Sequence, residues 1–511
     1  MIDKLLLRFG AALALAGCSG WAAAQTSSPF PPPDQDMGKY VINSGAGLDT
    51  GCTYRSGGPL IVRFAVPAPV NETQLKLDGT LKNPAAMVAA KVVGQRAKIS
   101  FPVYDVDDKA VTDGTYAPEI DYLSWNGRFI KTLSGFNNTW VNDSFEVDIS
   151  QVKFYSPGNP GIVNEFRVDI DQGNIGNGEY WCTAIDWVGI EYNAAFPFVL
   201  AHGISASATT WDPSDSPGVL AEVEKSGALF TRFSTPDPNG SVAANAAYLK
   251  GQIKSFLDTV KAKKVNIIAH SKGGLDSQMV ATLAPPDFEV LSLGTLSTPH
   301  RGSVVADLTL LQRAVADVYF NNGNDPNGYA QQFVSSTVAG IAGGFGAGPQ
   351  PPGIYDLTTQ NSNAAINAGV RGNVGNTYTI GADAGPNCEE RRALTNGEID
   401  PMNPNPNTLF LGTYIYNRLR MAYQSICSYS SAVQVSFDVL PSFDPSFPPT
   451  TVLTYATVQN ATANPNDIVV GVRSANPGYG MWLGDSASTN HSTVKNSGNV
   501  RKLLDKAISL R

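Results

Sequence analysis

The sequence has few charged residues and no long apolar run. Charged residues make up 16% of the 511 positions, and the formal net charge is −8. An acidic chain without a basic patch offers no surface that neutralises phosphates, which argues against nucleic acid as a partner. After the N-terminal segment, no charge-free apolar run reaches the length of about 18 residues that a membrane-spanning helix needs. The sequence therefore predicts no transmembrane helix.

Cysteine is also scarce, with five residues in the whole chain. No two of them have the close spacing of zinc ligands, so we predict no zinc site. Without Cys18 an even number remains, which in an oxidising compartment indicates two disulfides. Three pairings are possible, and proximity along the chain favours Cys52 with Cys182 and Cys388 with Cys427.

Residues 1–24 are predicted to be an export signal. Lys4 and Arg8 precede the apolar run "FGAALALAG", which is too short to span a bilayer. Two processing sites are compatible with the residues that follow. Cleavage in "AAAQ" after Ala24 gives a secreted protein, which is the preferred prediction. The alternative is a lipobox, "LAGC" at 15–18, which gives an outer-membrane lipoprotein with a lipid anchor on Cys18.

Glycine (49) and proline (34) are abundant, as in loop-rich and strand-rich proteins. Residues 25–38 form a Pro-rich linker. In 39–194 the runs "PLIVRFAV", "FEVDIS" and "NEFRVDID" alternate apolar and polar residues, and no amphipathic helix pattern appears. This segment is predicted to be a β-sandwich accessory domain, tied at its ends by the first predicted disulfide.

From residue 195 the pattern changes to alternating buried strands and helices. The runs "FPFVLAHGI", "KVNIIAH" and "FEVLSLGTLS" read as buried strands, and "NAAYLKGQIKSFLDTVKAK" has apolar residues at helical spacing. Such alternation predicts an α/β domain with a mostly parallel sheet over 195–511. Residues 303–375, rich in Gly, Ala and Asn, are a candidate lid.

The stretch "VNIIAHSKGGLDS" places Ser271 between a buried strand and a helix. A serine hydrolase needs such a bend to lift the hydroxyl clear of the backbone. The serine also needs a histidine to remove its proton and a carboxylate to fix the tautomer of that histidine. In an α/β-hydrolase these partners follow the nucleophile along the chain, so only His300 and His491 qualify, and His491 leaves room for an acid loop before it.

Asp467 is the preferred acid, because it lies at the turn "NPND" beside a β-branched run, 24 residues before His491. Asp485 is too close to His491 for two separate loops, and Asp438 and Asp444 remain as alternatives. The expected oxyanion donors are the backbone N–H groups of Ile204 and Lys272.

The other side chains near the motif are assigned no direct chemistry. Lys272 is expected to lie at the rim of the site, with an incidental charge. His270 is expected to point away from the nucleophile, and His202 and His300 are interpreted as structural.

The segments "FPFVLAHGI", "IIAHSKGGLDS", "LGTLSTPHRGSVVADL", "NDIVVGVRS" and "NHSTV" together resemble the bacterial true lipases of the Pseudomonas and Burkholderia type. The resemblance covers about 196–310 and 460–500, all in the second domain. It implies an α/β-hydrolase fold and carboxylic-ester hydrolysis. By position it makes Ser271, Asp467 and His491 the triad, and Ile204 and Lys272 the oxyanion donors.

Two departures from that family bear on metal binding. Its members carry a calcium-ligating Asp two residues after the catalytic His, where this chain has Thr493, and no Asp lies about 20 residues before Asp467. Because a hard cation prefers several anionic oxygens, we do not expect the family's calcium site here and predict no metal site. Ester hydrolysis by a serine triad requires no cofactor, so none is predicted. The acidic run "YDVDDKAVTDG" at 104–114 is interpreted as solvated surface rather than as a calcium site.

The sequence thus predicts an exported serine ester hydrolase, a lipase or carboxylesterase, whose substrate is a lipid or a polyester. An extracellular polyester depolymerase with the same triad is the nearest alternative. A catalytically inactive cell-surface binding protein is the alternative of another class. The sequence leaves open the natural substrate, the need for a foldase and the ligand of the sandwich.

Overall fold

The computed structural model describes residues 27–107, 117–173, 181–307, 309–310, 350–367, 369, 374–385, 426–427, 429–440, 450–459 and 464–510. The predicted signal peptide, Cys18, Cys388 and much of the predicted lid lie outside these residues. For the hairpin at 429–440 and 450–459 only the backbone is described.

Residues 39–194 form two antiparallel sheets. One sheet has the strand order β1-β10-β4-β9-β2, with β7 paired to β4, and the other has the order β3-β8-β5-β6. The strands are β1 (Lys39–Ile42), β2 (Thr53–Tyr54), β3 (Leu60–Phe64), β4 (Val93–Tyr104), β5 (Tyr122–Trp125), β6 (Arg128–Thr132), β7 (Trp140–Asp148), β8 (Asn164–Asp169), β9 (Cys182–Ile185) and β10 (Val188–Ala194).

Aromatic side chains join the inner faces of the two sheets. Phe101 of β4 contacts Phe166 of β8 edge to face, with ring centroids 4.8 Å apart. Phe145 of β7 lies 6.1 Å from Trp125 of β5, also edge to face. All four side chains are buried, so the period-two alternation seen in the sequence corresponds to one face directed into a shared core.

The antiparallel part contains the predicted disulfide and one helix that was not predicted. Cys52 and Cys182 form the predicted disulfide, with Cα atoms 5.3 Å apart, and join β2 to β9. No amphipathic helix was predicted here, yet a short helix, α1 (Pro84–Ala89), is present. Asn83 caps it by accepting a hydrogen bond from the N–H of Ala86, so a cap and a proline at N1 define the helix rather than an apolar stripe.

Residues 195–510 contain a six-stranded parallel sheet in the order β12-β11-β13-β14-β15-β18, which confirms the predicted α/β architecture. A separate antiparallel hairpin is formed by β16 and β17. The strands are β11 (Phe198–Ala201), β12 (Phe230–Phe233), β13 (Lys264–His270), β14 (Glu289–Leu296), β15 (Asn376–Asp383), β16 (Tyr429–Leu440), β17 (Thr450–Gln459) and β18 (Met481–Ala487).

Helices cover both faces of the parallel sheet. Gly294 of β14 packs against Leu503, whereas its neighbour Thr295 faces the opposite way and contacts His300, which lies against Gln278. Leu503 lies in α8 (Ser497–Ala507) and Gln278 in α4 (Lys272–Leu283), which are on opposite faces. The helices are α2 (Val219–Ser226), α3 (Val242–Val260), α4 (Lys272–Leu283), α5 (Pro352–Asp356), α6 (Thr359–Asn367), α7 (Val472–Ala475) and α8 (Ser497–Ala507). None of these combines the length and apolar character needed to cross a membrane.

The antiparallel part contacts the amino ends of the parallel strands. Asn71 donates to the carbonyl of Ala228 at 3.0 Å and accepts from the N–H of Phe230 at 3.4 Å, at the start of β12. The carboxylate of Asp36 accepts from the N–H of Lys263, just before β13. The two parts share one continuous buried apolar cluster. The carboxyl ends of the strands therefore lie away from this contact.

Candidate active site

Ser271 occupies a tight bend between the end of β13 and the start of α4. Its backbone has φ 56° and ψ −133°, a conformation that a non-glycine residue rarely adopts. Small residues let neighbouring segments of the protein approach the bend. A Cβ on Gly273 would lie 2.3 Å from the carbonyl oxygen of His202, and one on Gly274 would lie 2.1 Å from Oγ1 of Thr298. The geometry is the strand–turn–helix bend that the sequence predicted.

The structure brings the three predicted triad residues into one hydrogen-bonded row. Oγ of Ser271 lies 2.8 Å from Nε2 of His491, and Nδ1 of His491 lies 2.8 Å from Oδ2 of Asp467. Asp467 is fully buried. In the arrangement that satisfies all three groups, Nδ1–H donates to the carboxylate and Nε2 accepts from the serine hydroxyl.

A strained turn holds the carboxylate of Asp467 in place. Its Oδ1 accepts from the N–H groups of Val469 and Val470 at 2.9 and 2.6 Å, which leaves Oδ2 for the histidine. Ile468, between Asp467 and Val469, has a φ of 83°, unusual for a β-branched residue. Its N–H donates to Oδ1 of Asn466 at 2.9 Å. Strain of this kind persists only where surrounding contacts over-determine it.

The loop that carries Ile204 lies directly against Ser271. A Cβ on Gly203 would be 2.8 Å from Cβ of Ser271, so only glycine allows this approach. The N–H of Lys272 belongs to the residue after the bend, at the first position of α4. The two expected oxyanion donors therefore come from segments that meet at the serine.

The expectation that Lys272 lies at the rim with an incidental charge is wrong. Its side chain is fully buried, and Nζ donates to both carboxylate oxygens of Asp276 at 2.9 and 3.1 Å. Burial raises the pKa of Asp276 to about 6, with the nearby lysine opposing the shift. The lysine is buried because α3 and the segment at Gly353 close over α4, a contact that the local sequence does not reveal.

The side chain of His270 lies against His491. Its ring centroid is 4.8 Å from that of His491, and its Nε2–H donates to the carbonyl of His491 at 2.6 Å. Burial lowers the pKa of His270 well below its usual value, so the ring is neutral at physiological pH. Sequence reasoning missed this contact, because the two histidines are 221 residues apart and meet only in the folded sheet.

The two remaining histidines have structural contacts. Nδ1–H of His202 donates to the carbonyl of Gly203 at 2.8 Å, while Nε2 accepts from the N–H of Thr235 at 3.0 Å. Burial lowers the pKa of His202. His300 is fully buried and contacts Thr295. Neither side chain is hydrogen-bonded to Ser271, in agreement with the structural role expected for both.

One group of residues in the described part of the chain has the spacing of metal ligands. It consists of Cys52, Asp105 and Cys182, whose side-chain ligand atoms lie within 4.8 Å of one another. Because the two sulfurs are bonded to each other, they offer no thiolate to a metal. Cys427 is also disulfide-bonded, and its predicted partner, Cys388, lies outside the described residues.

Comparison with known proteins gives curated relatives with one common activity in their names. A triacylglycerol lipase of Pseudarthrobacter phenanthrenivorans is 34% identical over 150 residues, 28% of this chain and 42% of the relative. That of Burkholderia plantarii is 34% identical over 150 residues, 28% and 38% of the two chains. That of Vibrio cholerae is 33% identical over 113 residues, which cover 22% of this chain and 35% of the relative. This chain is similar to triacylglycerol lipases.

The match spans less than half the length of these relatives. It supports the lipase part of the predicted resemblance, while the narrower Pseudomonas and Burkholderia type stays a prediction. No family model matches the chain. Among solved structures, Bacillus licheniformis lipase BlEst2 in mature form has a TM-score of 0.36 and 18% identity, covering 60% of this chain and 88% of that one.

Proposed function

We propose that this protein is a serine hydrolase that cleaves carboxylic esters, as a lipase or a carboxylesterase. The observation that carries the proposal is the row Ser271–His491–Asp467, with both hydrogen bonds at 2.8 Å, at the carboxyl end of the parallel sheet. The similarity to triacylglycerol lipases supports the same activity. A lipid ester is the substrate class that these relatives suggest.

The geometry suits catalysis through an acyl-enzyme. His491 takes the proton of Ser271 as Oγ attacks the ester carbonyl, and Asp467 stabilises the resulting imidazolium. The imidazolium then gives its proton to the departing alcohol. Water, deprotonated by the same histidine, attacks the acyl group and releases the acid.

The negative charge that forms on the carbonyl oxygen needs donors. We assign this role to the N–H groups of Ile204 and Lys272, which flank Ser271. Loss of one such donor costs about 2.7–4 kcal/mol of transition-state stabilisation in enzymes of this kind. The left-handed backbone of Ser271 supports this assignment, since the sharp bend turns the next N–H toward the same space as the hydroxyl.

Hydrolysis of short- and long-chain p-nitrophenyl esters by wild type and Ser271→Ala tests the proposal. Activity in the wild type, absent from a folded Ser271→Ala variant, would support the serine mechanism. Chain-length preference would separate esterase from lipase, and release of acid from a polyester film would identify the depolymerase. Equal inertness of both proteins on every ester would refute the proposal and leave the inactive binding protein.

We further propose that the chain is exported and that residues 39–194 act as an accessory domain. The disulfide between Cys52 and Cys182 supports export, because such bonds persist in oxidising compartments. The domain contacts the amino end of β13, whose seven residues at about 3.3 Å each separate it from Ser271 by about 20 Å. If the domain holds a substrate, it therefore does so at a surface well separated from the triad.

A further inference from the structure

The oxyanion loop, defined here as residues 202–205, ends in a strained residue. Ser205, directly after the proposed donor Ile204, has a φ of +54°. A left-handed conformation costs a non-glycine residue roughly 1–2 kcal/mol relative to its relaxed backbone. Without external support Ser205 would relax, and the peptide between Ile204 and Ser205 would rotate. That peptide adjoins the Cα of Ile204, so its rotation would shift Ile204 and change the direction of the Ile204 N–H, which belongs to the peptide before it.

The hydrogen bonds to Ser205 come from a side chain in the turn between β12 and α3. Oδ1 of Asn239 accepts from the N–H of Ser205 at 2.9 Å and from its Oγ at 2.8 Å. Two hydrogen bonds of about 0.5–1.5 kcal/mol each are comparable to the cost of the strained backbone. The amide of Asn239 is thus sufficient, by magnitude, to hold Ser205 in the left-handed conformation.

Asn239 is itself fixed by its own backbone. Its N–H donates to Oδ1 of Asp237 at 3.0 Å, and its carbonyl accepts from the N–H of Gly353 at 2.9 Å. A Cβ on Gly353 would lie 2.8 Å from that carbonyl oxygen and 3.0 Å from Cε of Lys272. The segment at Gly353 therefore packs against the support of one oxyanion donor and the side chain of the other.

We propose that Asn239 is a positioning residue for ester hydrolysis, which orients the N–H of Ile204 by holding Ser205 in its strained conformation. This inference rests on the proposed function. It assigns Asn239 no contact with the substrate. Because the oxyanion exists only in the transition state, the effect of Asn239 falls on kcat and leaves KM nearly unchanged.

The test compares Asn239→Ala with Asn239→Asp, which retains an acceptor oxygen, and with Asn159→Ala as a matched control. The amide of Asn159 bonds the carbonyl of Leu77 in the antiparallel part, far from the site. We expect Asn239→Ala to lower kcat on p-nitrophenyl butyrate about tenfold, the equivalent of about 1.4 kcal/mol. Asn239→Asp and the control are expected to stay within about twofold of wild type.

A trifluoromethyl ketone inhibitor, whose adduct with serine carries an oxyanion, gives a second measurement. Its inhibition constant should rise by the same factor in Asn239→Ala. A smaller fraction of folded enzyme would lower the apparent kcat but would leave the inhibition constant unchanged. In the background of Ser205→Gly, where a left-handed φ costs little, the effect of Asn239→Ala should shrink.

The outcomes separate this inference from the proposed function. An active wild type, an inactive Ser271→Ala and an Asn239→Ala variant with wild-type kcat would overturn the inference alone. An equal loss of kcat in both Ser205 backgrounds would also overturn it. Inertness of the wild type on every ester would overturn both.

Discussion

Replacing Lys272 by methionine tests the buried ion pair at the start of α4. The change removes the charge and keeps the backbone N–H and most of the side-chain volume. It leaves the carboxylate of Asp276, whose side chain is 5% exposed, without its counter-ion. Removal of one partner of a buried pair costs about 3–5 kcal/mol of unfolding free energy. We expect a loss of this size at pH 8, measured by urea unfolding.

The loss should depend on pH with a definite sign. Burial raises the pKa of Asp276 from 3.8 to about 6, so the folded state binds its proton more tightly than the unfolded chain does. Stability contributed by this group is therefore highest below the unfolded pKa and falls as the pH rises to the folded one. Without the lysine the folded pKa rises further, because the opposite charge is gone. The variant should lose less stability at pH 5 than at pH 8.

A double variant gives the matched control. Lys272→Met with Asp276→Asn leaves no charge at this pair, so it should recover most of the stability lost at pH 8, and these two positions should no longer contribute to the pH dependence of stability. Equal unfolding free energies for wild type and Lys272→Met at pH 8 would refute the argument.

Three further predictions follow from particular contacts. His270→Phe removes the donor to the carbonyl of His491. The unsatisfied carbonyl should lower the free energy of unfolding by about 1–3 kcal/mol. Because this carbonyl belongs to the proposed base, kcat in ester assays should also fall, with little change in KM; an unchanged kcat would contradict a role for this contact. The Cys52–Cys182 disulfide joins residues 130 positions apart. Replacing both cysteines by serine should lower the free energy of unfolding of the antiparallel part by about 2–5 kcal/mol. An unchanged urea midpoint would contradict this stabilising role. Asn71 bonds the antiparallel part to the start of β12, so Asn71→Ala should lower the free energy of unfolding by about 1–2 kcal/mol in the same assay. Asn159 bonds only within the antiparallel part, so Asn159→Ala removes no hydrogen bond between the two parts and serves as the control.

The elements that the sequence predicts well are those with a strong local pattern. Helix α3 follows from apolar residues at helical spacing, and β13 from a run of six buried residues. The bend at Ser271 follows from the change from the strand pattern of β13 to the helical pattern of α4. The short helix α1 was missed, because its six residues form no apolar stripe and only its cap and proline define it.

Choosing Asp467 and His491 from the sequence depended on order and spacing as well as on chemistry. The chain has four histidines, and the rule that the base follows the nucleophile leaves two. The acid had alternatives at Asp438, Asp444 and Asp485. Only the folded turn at Ile468 presents Oδ2 of Asp467 to Nδ1 of His491, while its Oδ1 is held by backbone N–H groups.

The sequence by itself determined the α/β architecture of the second part and the serine, histidine and aspartate of the candidate site, because strand and helix periodicity and turn residues are local signals. Tertiary structure decided the surroundings of that site. The burial of Lys272, the contact of His270 with the carbonyl of His491 and the bonds from Asn239 to Ser205 all join residues that different strands and helices bring together. Such contacts depend on how helices close over the sheet, which no local pattern encodes.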